Sequence, residues 1–166
     1  MNSNDLKAVF SSGNDEYQTP PELFETLNDV FDFTLDPCST DDNHLAPKWF
    51  TIKDNGLKKS WEFNRVFVNY PYSEASAWLE KIGVESVASD IVVLCPARTD
   101  TKGFQNHVFP KATAITFLSG RLKFLNPARD NYKPTSAPFP SCIIFYCSTR
   151  KVKKVEGKLN GHTVYL

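Results

Sequence analysis

A small, doubly wound and mostly parallel α/β sheet is the fold class this chain predicts, on three observations. Apolar runs suited to buried strands recur along it: Val66-Phe67-Val68, Ile91 to Pro96, Ala114 to Leu118 and Ser141 to Cys147. Segments with helical spacing lie between these runs, so strand and helix alternate. Pro37, the stretch Asn69-Tyr70-Pro71-Tyr72, and Pro96-Ala97-Arg98 all fall at predicted strand ends. In a sheet of this kind ligands bind beyond the carboxyl ends of the strands, which gathers those three segments along one edge.

The elements follow in order. Residues 1–15 are polar and aperiodic and predict a loose arm. Pro20-Pro21 opens a helix carrying Leu23, Leu27, Val30 and Phe31 on one face, with Thr19 as its cap. Phe33 to Asp36 reads as a short strand ended by Pro37, and Ser39 to Asn43 offers cap chemistry for a brief helix. Trp49 to Ile52 suggests another strand, followed by the turn Asp54-Asn55-Gly56. Arg65 to Asn69 predicts a buried strand, Ser73 to Val87 a helix, and residues 100–109 a further helical piece. Residues 120–140 read as a long loop, the kind of segment that carries function in a small domain. The basic stretch 150–166 ends in Asn160-Gly161 before His162 to Tyr165, which predicts a small hairpin.

At 166 residues the chain suits a single domain, with 41% apolar, 23% charged and 13% aromatic residues. No apolar run approaches the roughly 20 residues that span a bilayer, and no targeting segment is read at the start, so a cytoplasmic protein is expected. Lysine and arginine number 19, and so do aspartate and glutamate, which excludes a purely electrostatic nucleic-acid binder but permits a local basic groove. Cys38, Cys95, Cys142 and Cys147 are widely spaced and read as buried thiols, while the scattered His44, His107 and His162 argue against a metal site.

The chemistry concentrates in Asn69-Tyr70-Pro71-Tyr72. An exocyclic amine on an aromatic base is a poor nucleophile because its lone pair is delocalised into the ring. Two acceptors that bind its hydrogens draw the nitrogen toward tetrahedral geometry and stabilise the charge that grows as an alkyl group arrives. The Asn69 side-chain oxygen is one such acceptor and the Tyr70 carbonyl the second, held by a turn at Pro71, while Tyr72 offers a ring for stacking on a base. The plain alternative is a strand-ending turn with an aromatic that only packs.

This stretch resembles the Asn-Pro-Pro-Tyr signature of amino-group methyltransferases that use S-adenosylmethionine, with Tyr70 where the first proline usually stands. The replacement keeps the carbonyl, which predicts that Tyr70→Pro is tolerated. Glu16 to Phe24 is similar to the Thr-Pro-Pro-Glu segment of adenine methyltransferases, and Phe33 to Cys38 to their next segment, although the usual glycine-rich continuation is replaced by Ser39-Thr40-Asp41-Asp42. Further on, Leu94 to Thr101, Gly120 to Phe124 and Ala137 to Ser141 resemble the phage-type Dam adenine methyltransferases, so that the resemblance covers about residues 15–147.

The resemblance implies a Rossmann-like methyltransferase fold and methyl transfer from S-adenosylmethionine to adenine N6 in DNA, in a phage or prophage setting. It implies catalytic roles for Asn69, Tyr70, Pro71 and Tyr72, and cofactor contacts from Gln18, Thr19, Pro20, Asp36 and Pro37. Asp54 either accepts hydrogen bonds from the cofactor's ribose or adenine or is a turn residue, with Asp41 and Asp42 competing for the ligand role. Arg98, Arg121 and Lys123 border the ligand edge and are candidates for DNA contact. N4-cytosine methylation, protein-glutamine methylation and a binding module without catalysis remain alternatives on the sequence.

Overall fold

The computed structural model describes residues 17–125 and 134–166. The first helix, α1 (Pro21–Phe31), buries Phe24, Leu27 and Phe31, a helical stripe, and ends where Asp32 turns left-handed at φ 49° and donates its N–H to the Asn28 carbonyl. Then come β1 (Leu35–Asp36), β2 (Lys48–Trp49), β3 (Arg65–Val68), a 3₁₀ turn at Tyr72–Glu74 and α2 (Ala75–Glu85). After β4 (Asp90–Pro96), a π-helical turn at Phe104–Val108 leads to β5 (Ala114–Leu118). A two-stranded ribbon, β6 (Lys123–Phe124) with β7 (Thr135–Ser136), precedes β8 (Ser141–Tyr146), α3 (Thr149–Val155) and β9 (Gly161–Tyr165).

The main sheet runs β2-β1-β3-β4-β8-β5-β9. Strands β2, β1, β3 and β4 are parallel; β8 and β9 run against them, and β5 runs with them. Alternation along each strand divides the core in two. Val66, Val68, Ile91, Val93, Cys142 and Ile144 face one layer with α2 and the π-helical turn. Phe67, Val92, Leu94, Ile143 and Phe145 face the other, against α1 and α3. A sheet covered on both faces is the doubly wound arrangement that the continuous apolar runs predict.

From β1 the chain goes outward to β2, then returns to β3 on the other side of β1. This reversal opens a crevice beyond the carboxyl ends of β1 and β3, where Asp36 and Asn69 lie. The return passes Gly56, where a Cβ would sit 2.0 Å from the Pro37 carbonyl oxygen, so only glycine lets the two segments approach.

Several local expectations are corrected. Thr19 does not cap α1: Pro20 holds the cap position, with no side-chain hydrogen bond. Residues 41–43 form a turn rather than a helix, the Asn43 carboxamide accepting the Thr40 N–H at 2.7 Å. The strand at Trp49 begins one residue earlier and ends there, leaving Ile52 94% exposed. Gly161 to Tyr165 makes an outer strand on β5, not a hairpin. Gly161 is needed for that pairing, since a Cβ would meet the Phe117 carbonyl oxygen at 2.3 Å. The ribbon interrupts the loop foreseen over 120–140; its residues 126–133, like the arm 1–15, lie outside the described residues.

Candidate active site

Asn69 follows the last residue of β3, and both N–H groups of its carboxamide are engaged. Nδ2 donates to the Tyr17 carbonyl at 2.7 Å and to Thr19 Oγ1 at 3.1 Å. Oδ1 accepts the Tyr72 hydroxyl at 3.1 Å. A backbone carbonyl has no proton to give, so the atom facing Tyr17 must be the nitrogen, and the direction of Oδ1 follows. Burial pushes the Tyr72 phenol well above its ordinary pKa, keeping the hydroxyl protonated as the donor.

Tyr72 is half-buried and its ring stacks on Tyr17, with centroids 5.3 Å apart and planes 18° off parallel. Phe139 packs edge-on against both rings. Phe124 of β6 packs edge-on against Tyr17, and the Gln18 N–H bonds to the Leu125 carbonyl at 3.2 Å. These contacts fasten the segment before α1 and the β6–β7 ribbon to the end of β3. Tyr17 lies in the segment Glu16 to Phe24 that carries the resemblance, but no role of its own is expected for it from the sequence.

Tyr70 is 3% exposed, and its ring belongs to the core layer under α2, where the hydroxyl meets the Cys95 thiol. It therefore contributes a buried side chain as well as a carbonyl, and the expectation that proline would serve equally is revised. Pro71, at φ −59° and ψ 117°, turns the chain into the 3₁₀ segment, where its own carbonyl accepts the Glu74 N–H at 2.9 Å.

Across the crevice, Asp36 is 5% exposed. Its Oδ2 accepts the Leu45 N–H at 3.2 Å and its Oδ1 the Cys38 N–H at 3.4 Å. Burial raises its pKa to about 6, against the opposing pull of those two N–H groups. The Cys38 thiol is pushed up by burial and by the Asp36 charge, partly offset by the Asn69 backbone N–H, which joins the two sides of the crevice. Ser39 Oγ is shielded and makes no well-formed hydrogen bond, although it lies near enough to Asp36 to favour the ionised form. A buried carboxylate with an unpartnered hydroxyl beside it suits a ligand that carries hydroxyl or ammonium donors.

A cleft of about 230 Å³ opens beside the turn, lined among others by Tyr70, Tyr72, Pro96, Arg98, Thr101 and Lys102. Arg98 is thus brought to the site, and Lys102, not singled out in the sequence, joins it. Arg121 and Lys123 stay exposed on the approach to the ribbon and within it. Pro37 follows β1 against Gly56. Asp54 is exposed; one of its oxygens accepts the Thr51 N–H at 2.9 Å and the Thr51 hydroxyl at 2.8 Å, and these bonds hold its pKa below the ordinary value. Asp41 accepts the Trp49 indole N–H at 3.0 Å.

Comparison with known proteins places the chain in a family. The family model described as DNA N-6-adenine-methyltransferase (Dam) matches residues 7–160. A protein of Haemophilus phage HP1 (strain HP1c1), named DNA N-6-adenine-methyltransferase, is 24% identical over 159 residues, covering 86% of this chain and 92% of the relative.

Proposed function

Because the chain belongs to the DNA N-6-adenine-methyltransferase (Dam) family, whose reaction places a methyl group on adenine N6 in DNA, we propose that Asn69 and the Tyr70 carbonyl are the acceptors for that amine. The observation that carries this reading is the Asn69 carboxamide, anchored through its nitrogen so that Oδ1 is presented in one direction. Oδ1 receives the Tyr72 hydroxyl, and its second lone pair can accept an N–H of the base. The Tyr70 carbonyl, at the position after Asn69, takes the second N–H.

The adenine enters the cleft along Tyr72, backed by Tyr17, and Arg98 and Lys102 at the mouth meet the phosphates beside it. Arg121 and Lys123 extend that basic surface along the ribbon. The methyl donor is S-adenosylmethionine, which would be held in the crevice by Asp36, Pro37 and Ser39 on one side and by Gln18, Pro20 and the backbone of Thr19 on the other. Bound there, it would supply an electrophilic methyl group on a sulfonium sulfur, a leaving group able to keep the electron pair of the C–S bond as a thioether. The new N–C bond leaves the amine cationic, and the two acceptors stabilise that charge before the extra proton passes to water. No general base is required before transfer.

The test is sequencing of modified bases in DNA from cells expressing the protein, together with assays of the purified chain. Methyl groups are expected on adenine N6, and Asn69→Ala should lower turnover by about 10²–10³-fold or more with S-adenosylmethionine binding nearly intact. Near-normal turnover of that variant would remove Asn69 from the mechanism.

A further inference from the structure

Thr19 stands in the segment assigned to the cofactor, but its hydroxyl points elsewhere. It is 7% exposed, caps no helix, and accepts a hydrogen bond from Asn69 Nδ2 at 3.1 Å. The other hydrogen of the same amide goes to the Tyr17 carbonyl. Both N–H bonds of Asn69 are therefore taken by one three-residue segment, which also stacks Tyr17 on Tyr72.

We infer that Thr19 is a positioning residue for methyl transfer: with the Tyr17 carbonyl it sets the rotation of the Asn69 amide, and so the direction of the oxygen that receives the substrate amine. The inference rests on the proposed acceptor role of Asn69. Its physical basis is a three-point hold. An amide turned by half a revolution would place Oδ1 against the Tyr17 carbonyl oxygen, two acceptors in contact. Without the Thr19 hydroxyl, Nδ2 keeps only its Tyr17 bond, and the amide plane, held otherwise by Tyr72 at Oδ1, gains room to tilt. A small loss of alignment at a reacting centre is costly because the acceptors must meet the amine hydrogens in the transition state.

The role separates from cofactor binding by experiment. Thr19→Val keeps the shape and removes the hydroxyl, Thr19→Ser keeps the hydroxyl, and Thr19→Ala replaces the Val variant if that protein does not fold. Unmethylated bacterial DNA is the substrate, and S-adenosylmethionine is titrated calorimetrically in parallel. Thr19→Val is expected to lower kcat at saturating substrates about tenfold, to change the cofactor Kd less than about threefold, and to shift the Asn69 side-chain NH₂ resonances in a ¹⁵N-labelled sample. Thr19→Ser should recover most of kcat and the original resonances. A weakened cofactor Kd with kcat unchanged would assign Thr19 to the cofactor alone and overturn the inference, as would a Thr19→Ser variant as impaired as Thr19→Val. If Asn69→Ala stays active, the acceptor reading itself fails, and the inference with it; if Asn69→Ala is dead while Thr19→Val turns over normally, only the inference fails.

Discussion

Two buried polar networks occupy opposite edges of the sheet, and they differ in how they are closed. At the amino ends of β3 and β4, Trp61 is fully buried, its backbone N–H donating to Glu85 Oε2 at 2.9 Å and its indole N–H to the Gly56 carbonyl at 2.9 Å. Ser89 Oγ donates to the Trp61 carbonyl at 2.6 Å, and Lys81 pairs with Glu85 while lying 5.5 Å from the indole centroid. Every member bonds to another part of the same fold. At the carboxyl ends, the Asn69 network is as well satisfied on its nitrogen side, but its oxygen is held by Tyr72, whose ring lines an open cleft. A network closed on itself serves stability, whereas one with an exchangeable partner beside a cleft can pass its hydrogen bonds to a ligand.

The widest gap between the two edges should appear at Tyr70, which belongs both to the core and to the turn. Tyr70→Pro removes a buried ring and should destabilise the fold by about 3–5 kcal/mol, as large-to-small core changes do, although the carbonyl is retained. Urea unfolding measures this; a variant as stable as the parent would show that the ring's cavity closes and that the position supplies only its carbonyl.

Glu85→Ala breaks the closed network. It strips the partner from a buried N–H and from Lys81, for an expected loss of roughly 3 kcal/mol. Methyl transfer per folded molecule should not change. A drop in kcat at a temperature where the variant is fully folded would mean that the two edges are coupled.

Asp36 gives a third contrast, through pH. Its folded-state pKa of about 6 lies above the ordinary carboxylate value, so the folded protein holds the proton more tightly than the unfolded chain. The stabilisation from that proton is complete below about pH 4 and is lost as pH rises through about 6, for up to about 3 kcal/mol. The stability difference between the parent and Asp36→Asn should therefore move in favour of the variant by that order between pH 4 and pH 7, while the variant binds S-adenosylmethionine more weakly. Denaturant midpoints across the pH range measure the first effect, and a pH-independent difference would show that Asp36 is not destabilised by burial.

Much of this was legible in the chain. The strands at Ala114–Leu118 and Asp90–Pro96 were readable because continuous apolar sequence has few other uses in a small domain. The resemblance led to the family that the comparison also finds, because Asn69-Tyr70-Pro71-Tyr72 and the more specific segments Leu94 to Thr101, Gly120 to Phe124 and Ala137 to Ser141 are each local, written in adjacent residues. Thr19 was misread as a helix cap for the same reason in reverse. A threonine before Pro-Pro satisfies a local rule, and nothing in its neighbours tells of a partner 50 positions away. Tyr17 and Lys102 were invisible on their own, because a single aromatic or lysine has no pattern until another segment packs against it.

The sequence by itself determined the layered α/β class, the positions of the central strands and the residue types able to grip an amine, because periodicity and short-range chemistry act over a few neighbouring residues. Only the tertiary structure decided that Tyr70 fills the core, that Tyr17 backs Tyr72, and that Thr19 holds Asn69. Those roles depend on contacts between residues far apart in the chain, and the packing of the two layers on the sheet selects them.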